Sequence, residues 1–265
     1  MRQGAACVAA RKQPMWVNLQ KAVAVQREPL FNVPAVVTAF VAVFVIVHVG
    51  RLLLLTNAQD EYFLGLFAFI PARYDTALLL GQLLPGGVAA EFWTFVSYSL
   101  IHAGWLHLGV NLVWFLPFGS AVARRFGTLR FIAFFMVTAA TGAMAHLVTH
   151  PGGTAEVIGA SAAISGTMAG AMRFAFQRGG PLGGRRDGAR DPFRVPAIPL
   201  PFVLTDPRVL AFLIVWFGIN ILFGAGTISF FGPATVAWQA HIGGFLGGLL
   251  LFSWFDPPPD ERHSD

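Results

Sequence analysis

The stretch Ala234-Thr235-Val236-Ala237-Trp238-Gln239-Ala240-His241-Ile242-Gly243-Gly244-Phe245-Leu246-Gly247-Gly248-Leu249-Leu250-Leu251-Phe252-Ser253-Trp254-Phe255 decides the class of fold. It carries no Asp, Glu, Lys or Arg. As a helix rising 1.5 Å per residue it is long enough to cross the roughly 30 Å apolar core of a bilayer. It nevertheless holds an imidazole, His241, and two glycine pairs one helical turn apart. Hydrocarbon supplies no water to polar groups, so an ionisable residue at that depth needs a partner from the protein. Glycines at four-residue spacing let a second helix approach closely enough to bring one.

The rest of the chain is of the same kind. Hydrophobic residues make up 55% and charged residues only 12%, which excludes an ordinary soluble domain and indicates an all-α polytopic membrane protein. Hydropathy places six spans, roughly Pro34 to Leu55, His107 to Val122, Leu129 to His150, Ser161 to Phe176, Val209 to Phe223 and Ala234 to Phe255. Between the first two, Thr56 to Leu106 is aromatic and broken by Pro71 and Pro85, and is expected to lie in the membrane interface. The Gly/Arg/Pro-rich stretch Gly179 to Pro201 is expected to be a flexible loop.

Basic residues set the orientation. With six spans, 16 of the 18 Lys and Arg residues fall on one side, and only Arg51 and Arg73 on the other. This split makes both termini cytoplasmic. It also accounts for the net charge of +5 as topogenic, with no aromatic interleaving that would argue for nucleic acid. The first apolar stretch, from about Val33, is as long as a full span and so is expected to be an uncleaved first helix. The single cysteine, Cys7, excludes an internal disulfide.

Ser161 lies in Gly159-Ala160-Ser161-Ala162-Ala163-Ile164-Ser165-Gly166 and opens the fourth span from the outer side. His241 lies about eight residues into the sixth span from that same side, so the two depths are compatible. His107 and Asn111, at i and i+4 on the second span, share a helix face. Both can donate hydrogen bonds to an oxyanion, alongside the Ser161 amide at a helix N-terminus. The plainer reading of each feature is packing: glycine faces and buried polar residues also serve only to hold helices together. Ser165 is the rival nucleophile, but it lacks a glycine two positions before it and lies one turn deeper.

The combination His102-x4-His107-x3-Asn111, Gly159-x-Ser161 and Ala240-His241-x2-Gly244, on the second, fourth and sixth spans, resembles the rhomboid intramembrane serine proteases. Asn111-Leu-Val-Trp114 to Arg125-Phe-Gly127 is similar to that family's second helix. The resemblance implies a rhomboid-like six-helix domain over residues 33–255, between a cytoplasmic N-terminal segment 1–32 and a tail 256–265. It implies that Ser161 is the nucleophile and His241 its base, and that His107 and Asn111 hold the oxyanion. His102 and Gly159 would support them. A serine dyad needs no cofactor and no metal. The partners implied are the bilayer and single-span or other membrane-protein substrates, cut near the outer face of a bacterial inner membrane.

Three positions depart from the family pattern. Ala162 stands where glycine often follows the nucleophile, and Thr94 where arginine usually follows the loop tryptophan, here Trp93. Ser165 stands where an aromatic often stacks on the catalytic histidine, so His241 must be oriented by something else. The alternative function is a rhomboid-like escort that binds membrane proteins without cutting them, which predicts a missing Ser or His. A transporter or channel would need charged pathway residues in the spans, and these are scarce. His146 and His150 are expected to be an interfacial polar pair rather than metal ligands, and His48 a satisfied interior histidine.

Overall fold

The computed structural model describes residues 32–75, 84–184, 191–224 and 237–258. Segments 1–31 and 259–265 of the expected cytoplasmic ends lie outside the described residues. Helices stand at all six expected spans: α1 at Ala35–Leu54, α4 at Trp105–Phe126, α5 at Thr128–Thr149, α6 at Ser161–Met172, α7 at Pro207–Gly224 and α8 at Trp238–Phe255. Two shorter helices, α2 at Asn57–Phe67 and α3 at Gly87–Ser97, occupy the interfacial segment.

By length and composition, α1, α4 and α5 are able to cross a membrane unaided. α6 and α8 fall short of that standard for different reasons. α8 opens on the polar residues Gln239 and His241, and α6 has only 12 residues, about 18 Å of rise.

The expected fourth span ran to Phe176, but regular helix stops at Met172. There the Arg173 carbonyl accepts from the Ile198 N–H at 2.6 Å rather than continuing the ladder, and its guanidinium donates to the carbonyls of Ile198 (2.8 Å) and Leu249 (3.2 Å). α6 is the central helix. It packs against α4, α5 and α8, and every residue from Ala162 to Met172 is buried.

The glycines of α8 make that packing possible in two directions. A Cβ on Gly244 or Gly248 would collide with the backbone carbonyls of Ala162 or Gly166 on α6. One on Gly243 or Gly247 would strike Ala145 or Thr141 on α5. Two adjacent stripes of missing side chains thus seat α8 in the groove between two helices. On the far side of α5, Phe40 and Phe44 of α1 interlock with Phe115, Phe131 and Phe135, with ring centroids 4.5 to 6.3 Å apart.

The interfacial segment is ordered by polar anchors. Trp93 donates its indole N–H to the Leu66 carbonyl at 2.8 Å. Arg73, 3% exposed, donates to the carbonyls of Pro85 and Gly65. Thr94 is buried and within 3.2 Å of the Tyr74 hydroxyl.

The loop after α6 is tied down wherever it is described. Arg125 of α4 donates to the Phe193 and Val195 carbonyls and pairs with Asp256 just beyond α8, at 2.7 and 2.9 Å. The expected loop is thus anchored to the bundle at Phe193, Val195 and Ile198, while residues 185–190 lie outside the described residues.

Candidate active site

Ser161 is the first residue of α6, so its amide belongs to the helix-start group that has no partner one turn back. Gly159 holds φ at +118° just before it. The segment leading in is fixed from both sides. Phe69 and Val157 exchange backbone hydrogen bonds of 3.1 and 2.8 Å, and the Gly159 N–H donates to Tyr98 O at 3.0 Å.

His241 is the fourth residue of α8. Its Nε2 lies 2.7 Å from Ser161 Oγ, the distance of a good hydrogen bond. Its Nδ1 lies 2.5 Å from Asn220 Oδ1, on α7. Because Asn220 Nδ2 donates to the Trp216 carbonyl at 2.8 Å, the amide oxygen is the atom turned towards the ring. The network therefore assigns the proton to Nδ1 and leaves Nε2 bare to accept from the serine.

His107 is set the opposite way. The Ala103 N–H donates to its Nδ1 at 3.3 Å, which puts the ring proton on Nε2. The space where a Gly159 side chain would be is bounded by His107 Nε2 at 2.8 Å and by Ser161 Oγ at 3.7 Å. Asn111 is 4% exposed and uses one amide N–H on the His107 carbonyl, 2.8 Å away, leaving its second to be aimed elsewhere. One histidine thus offers a lone pair to the hydroxyl and the other an N–H beside it.

These residues face a cavity of about 470 Å³ walled by Val110, Trp114, Met168, Trp216 and Ile219, with Arg51 and Glu156 among its polar residues. Burial pushes the Glu156 carboxyl above its ordinary range, with Arg51 opposing that shift.

Residues 89–256 match the Rhomboid domain family. The chain belongs to the rhomboid family. It is 35% identical over 63 residues to the rhomboid protease GlpG of Haemophilus influenzae, covering 23% of this chain and 33% of that protein. It is 28% identical over 160 residues to the rhomboid protease GluP of Bacillus subtilis, covering 60% of this chain and 25% of that one. With the GlpG of Enterobacter sp. (strain 638) it shares 25% identity over 182 residues, 67% of this chain and 54% of the other. The alignments thus span from a quarter to about half the length of these relatives.

In this rhomboid the other singled-out residues fall outside the Ser161 constellation or beside it. Ser165 donates its hydroxyl to the Ser161 carbonyl at 2.7 Å, inside its own helix. His102 is wholly buried, and neither ring nitrogen has a hydrogen-bond partner among the described residues. It contributes its carbonyl, which accepts from His48 Nδ1 (3.2 Å) and from Arg51 (3.1 Å). His48 is accordingly satisfied at one nitrogen, while its Nε2 has no partner among the described residues. His146 and His150 stack 4.5 Å apart, and no cluster among the described residues has enough ligands for a metal.

Asn220 was not singled out by sequence. The signal was available: an amide in the middle of Trp216-Phe217-Gly218-Ile219-Asn220-Ile221-Leu222 is a polar residue at membrane depth, as Ser161 and His241 are.

Proposed function

We propose that this integral membrane protein is an intramembrane serine endopeptidase that cuts the transmembrane or juxtamembrane segments of other membrane proteins. The observation that carries this reading is the 2.7 Å approach of Ser161 Oγ to a His241 nitrogen whose tautomer leaves it free to accept. In the reaction, His241 Nε2 takes the hydroxyl proton as Oγ attacks the scissile carbonyl. The developing oxyanion sits in the gap left by Gly159, facing the Ser161 amide, His107 Nε2–H and the second N–H of Asn111. The imidazolium then gives its proton to the leaving amine, and a water activated by the same nitrogen releases the acyl group.

Substrates are helices that must unwind to present a peptide bond, so Gly, Ser or Pro near the cut favours cleavage, and so does small Ala. The split of basic residues puts the site towards the outer face, with both termini cytoplasmic, as in a bacterial inner membrane. On this reading residues 33–255 form the membrane domain.

The test is cleavage of a single-span substrate by the purified protein in liposomes. Ser161→Ala and His241→Ala are each expected to lower the rate by on the order of 10⁴-fold or more. Cleavage by Ser161→Ala at the wild-type rate would overturn the assignment. Tight substrate binding by the wild type without any cleavage would favour the escort function instead.

A further inference from the structure

His241 has no aromatic neighbour at position 165 to hold its ring, since that residue is Ser165 and its hydroxyl is engaged with its own helix. The ring is held from the opposite side. α7 and α8 meet in two rungs one turn apart: the Trp216 ring lies 4.9 Å from that of Phe245, and Asn220 Oδ1 lies 2.5 Å from His241 Nδ1. The first rung fixes the spacing of the two helices, and the second reaches the imidazole. Asn220 is itself rigid, being 6% exposed and pinned through Nδ2 to the carbonyl one turn back.

We propose that Asn220 is a positioning residue for the Ser161–His241 pair, making the functional unit a serine–histidine–asparagine triad spread over α6, α8 and α7. The proposal rests on the protease reading above and extends it. Three physical points support it.

The first is tautomer selection. A neutral imidazole carries one N–H, and whichever nitrogen holds it cannot accept the serine proton. An acceptor at Nδ1 draws the proton there and leaves Nε2 basic. Turning the Asn220 amide over would set its oxygen against the Trp216 carbonyl, two acceptors face to face, so the amide cannot easily serve as the donor instead.

The second is orientation. With Nδ1 held by α7 and Nε2 by Ser161, rotation of the ring about its Cβ–Cγ bond is restrained at both ends, as an aromatic stacked on its face would otherwise do. The third is charge. A carboxylate would also accept from Nδ1, but an ionised side chain in an apolar span is costly, whereas an amide supplies the acceptor without the charge. The same substitution of amide for carboxylate is made in cysteine–histidine–asparagine proteases.

The experiment compares Asn220→Leu and Asn220→Ala with wild type in liposomes, together with Asn220→Asp, which keeps an acceptor oxygen at the same place. Leucine fills the space without accepting, so a packing role is preserved by it and a hydrogen-bonding role is not. Both Asn220→Leu and Asn220→Ala are expected to lose about 10- to 100-fold in kcat with KM little changed, and to be labelled more slowly at Ser161 by a fluorophosphonate. Asn220→Asp is expected to recover most of that loss.

A second measurement does not depend on turnover. The ¹⁵N shifts of His241 in histidine-labelled protein distinguish the two tautomers. Wild type is expected to carry the proton on Nδ1, and Asn220→Leu to lose that preference. An Asn220→Leu protein with wild-type kcat, or a wild-type His241 protonated on Nε2, would overturn the proposal. If instead Ser161→Ala still cleaves, the protease reading fails, and the tautomer measurement still decides whether Asn220 sets the state of His241.

Discussion

A methyl group placed on Gly159 would lie 2.8 Å from both Cε1 and Nε2 of the His107 ring. Real carbon atoms do not sit that close, and the φ of +118° is one that side chains rarely adopt, so Gly159→Ala is penalised twice. The expected result is loss of cleavage and of fluorophosphonate labelling at Ser161 while the protein still extracts and purifies as a folded species. Wild-type labelling of Gly159→Ala would mean that the gap beside His107 is not where the oxyanion forms.

The two side-chain donors proposed for the oxyanion, His107 and Asn111, are expected to act in the transition state rather than in substrate binding. His107→Ala and Asn111→Ala should each lower kcat by about 10²- to 10³-fold with KM nearly unchanged. Steady-state kinetics over a range of substrate mole fractions in the bilayer separates the two parameters. A rise in KM alone would reassign the pair to holding substrate.

Arg125 and Asp256 give an unequal pair of mutations. Removing Arg125 takes two hydrogen bonds from the Asp256 carboxylate and donors from the Phe193 and Val195 carbonyls together. Removing Asp256 leaves the guanidinium with both carbonyls and with the faces of Phe174 and Phe252, 4.7 and 5.5 Å away. Arg125→Ala should therefore be the more destabilising of the two, and Asp256→Ala clearly less so. Thermal unfolding in detergent ranks them, and an equal loss would contradict the geometry.

Glycines on one fold should tolerate alanine very differently. At Gly244 an added carbon meets the Ala162 carbonyl, whereas at Gly109 on α4 nothing lies within 4 Å. Gly244→Ala is expected to push α8 off α6 and lower both stability and activity. Gly109→Ala should be harmless or stabilising by about 0.5–1 kcal/mol, since alanine is the better helix former. Melting temperatures of the two variants provide the comparison.

Glu156 ties stability to pH. Partial desolvation at the cavity raises its carboxyl above the unfolded value, so the folded protein binds the extra proton and gains stability as pH falls through the raised value. Its ionised form is the destabilising one. Glu156→Gln should consequently melt higher than wild type near neutral pH, with the advantage vanishing below the ordinary glutamate range. A constant difference at all pH values would point to packing instead.

How far the sequence carried depends on how local each signal was. Ser161, His241, His107 and Asn111 were legible because each sits in a short motif and because polar groups in apolar helices are conspicuous. The glycines of the sixth span foretold close packing, though not that the stripe at 243 and 247 faces α5 while that at 244 and 248 faces α6. Relations across long chain separations were not legible. Arg125 and Asp256 are 131 positions apart, and neither residue type announces the other. At the early end of α6 the Arg173 carbonyl accepts from the Ile198 N–H, 25 residues on. Asn220 was missed for another reason. The argument from polarity at membrane depth applied to it, but with no motif around it the residue looked like one more span-filling position.

The cavity over Ser161 also bears on a matter of supply. Peptide hydrolysis consumes a water for every bond cut, and the surrounding lipid has none to give. A space of about 470 Å³ whose lining includes Arg51, Glu156, His107 and Asn220 has room for on the order of ten waters beside Ser161. The twelve-residue α6 sets the depth of that space. A longer helix would lift the serine towards bulk solvent, and a continuous apolar wall would leave it dry. On the protease reading, each cut draws one water from that space, which must be replaced from outside the lipid before the next.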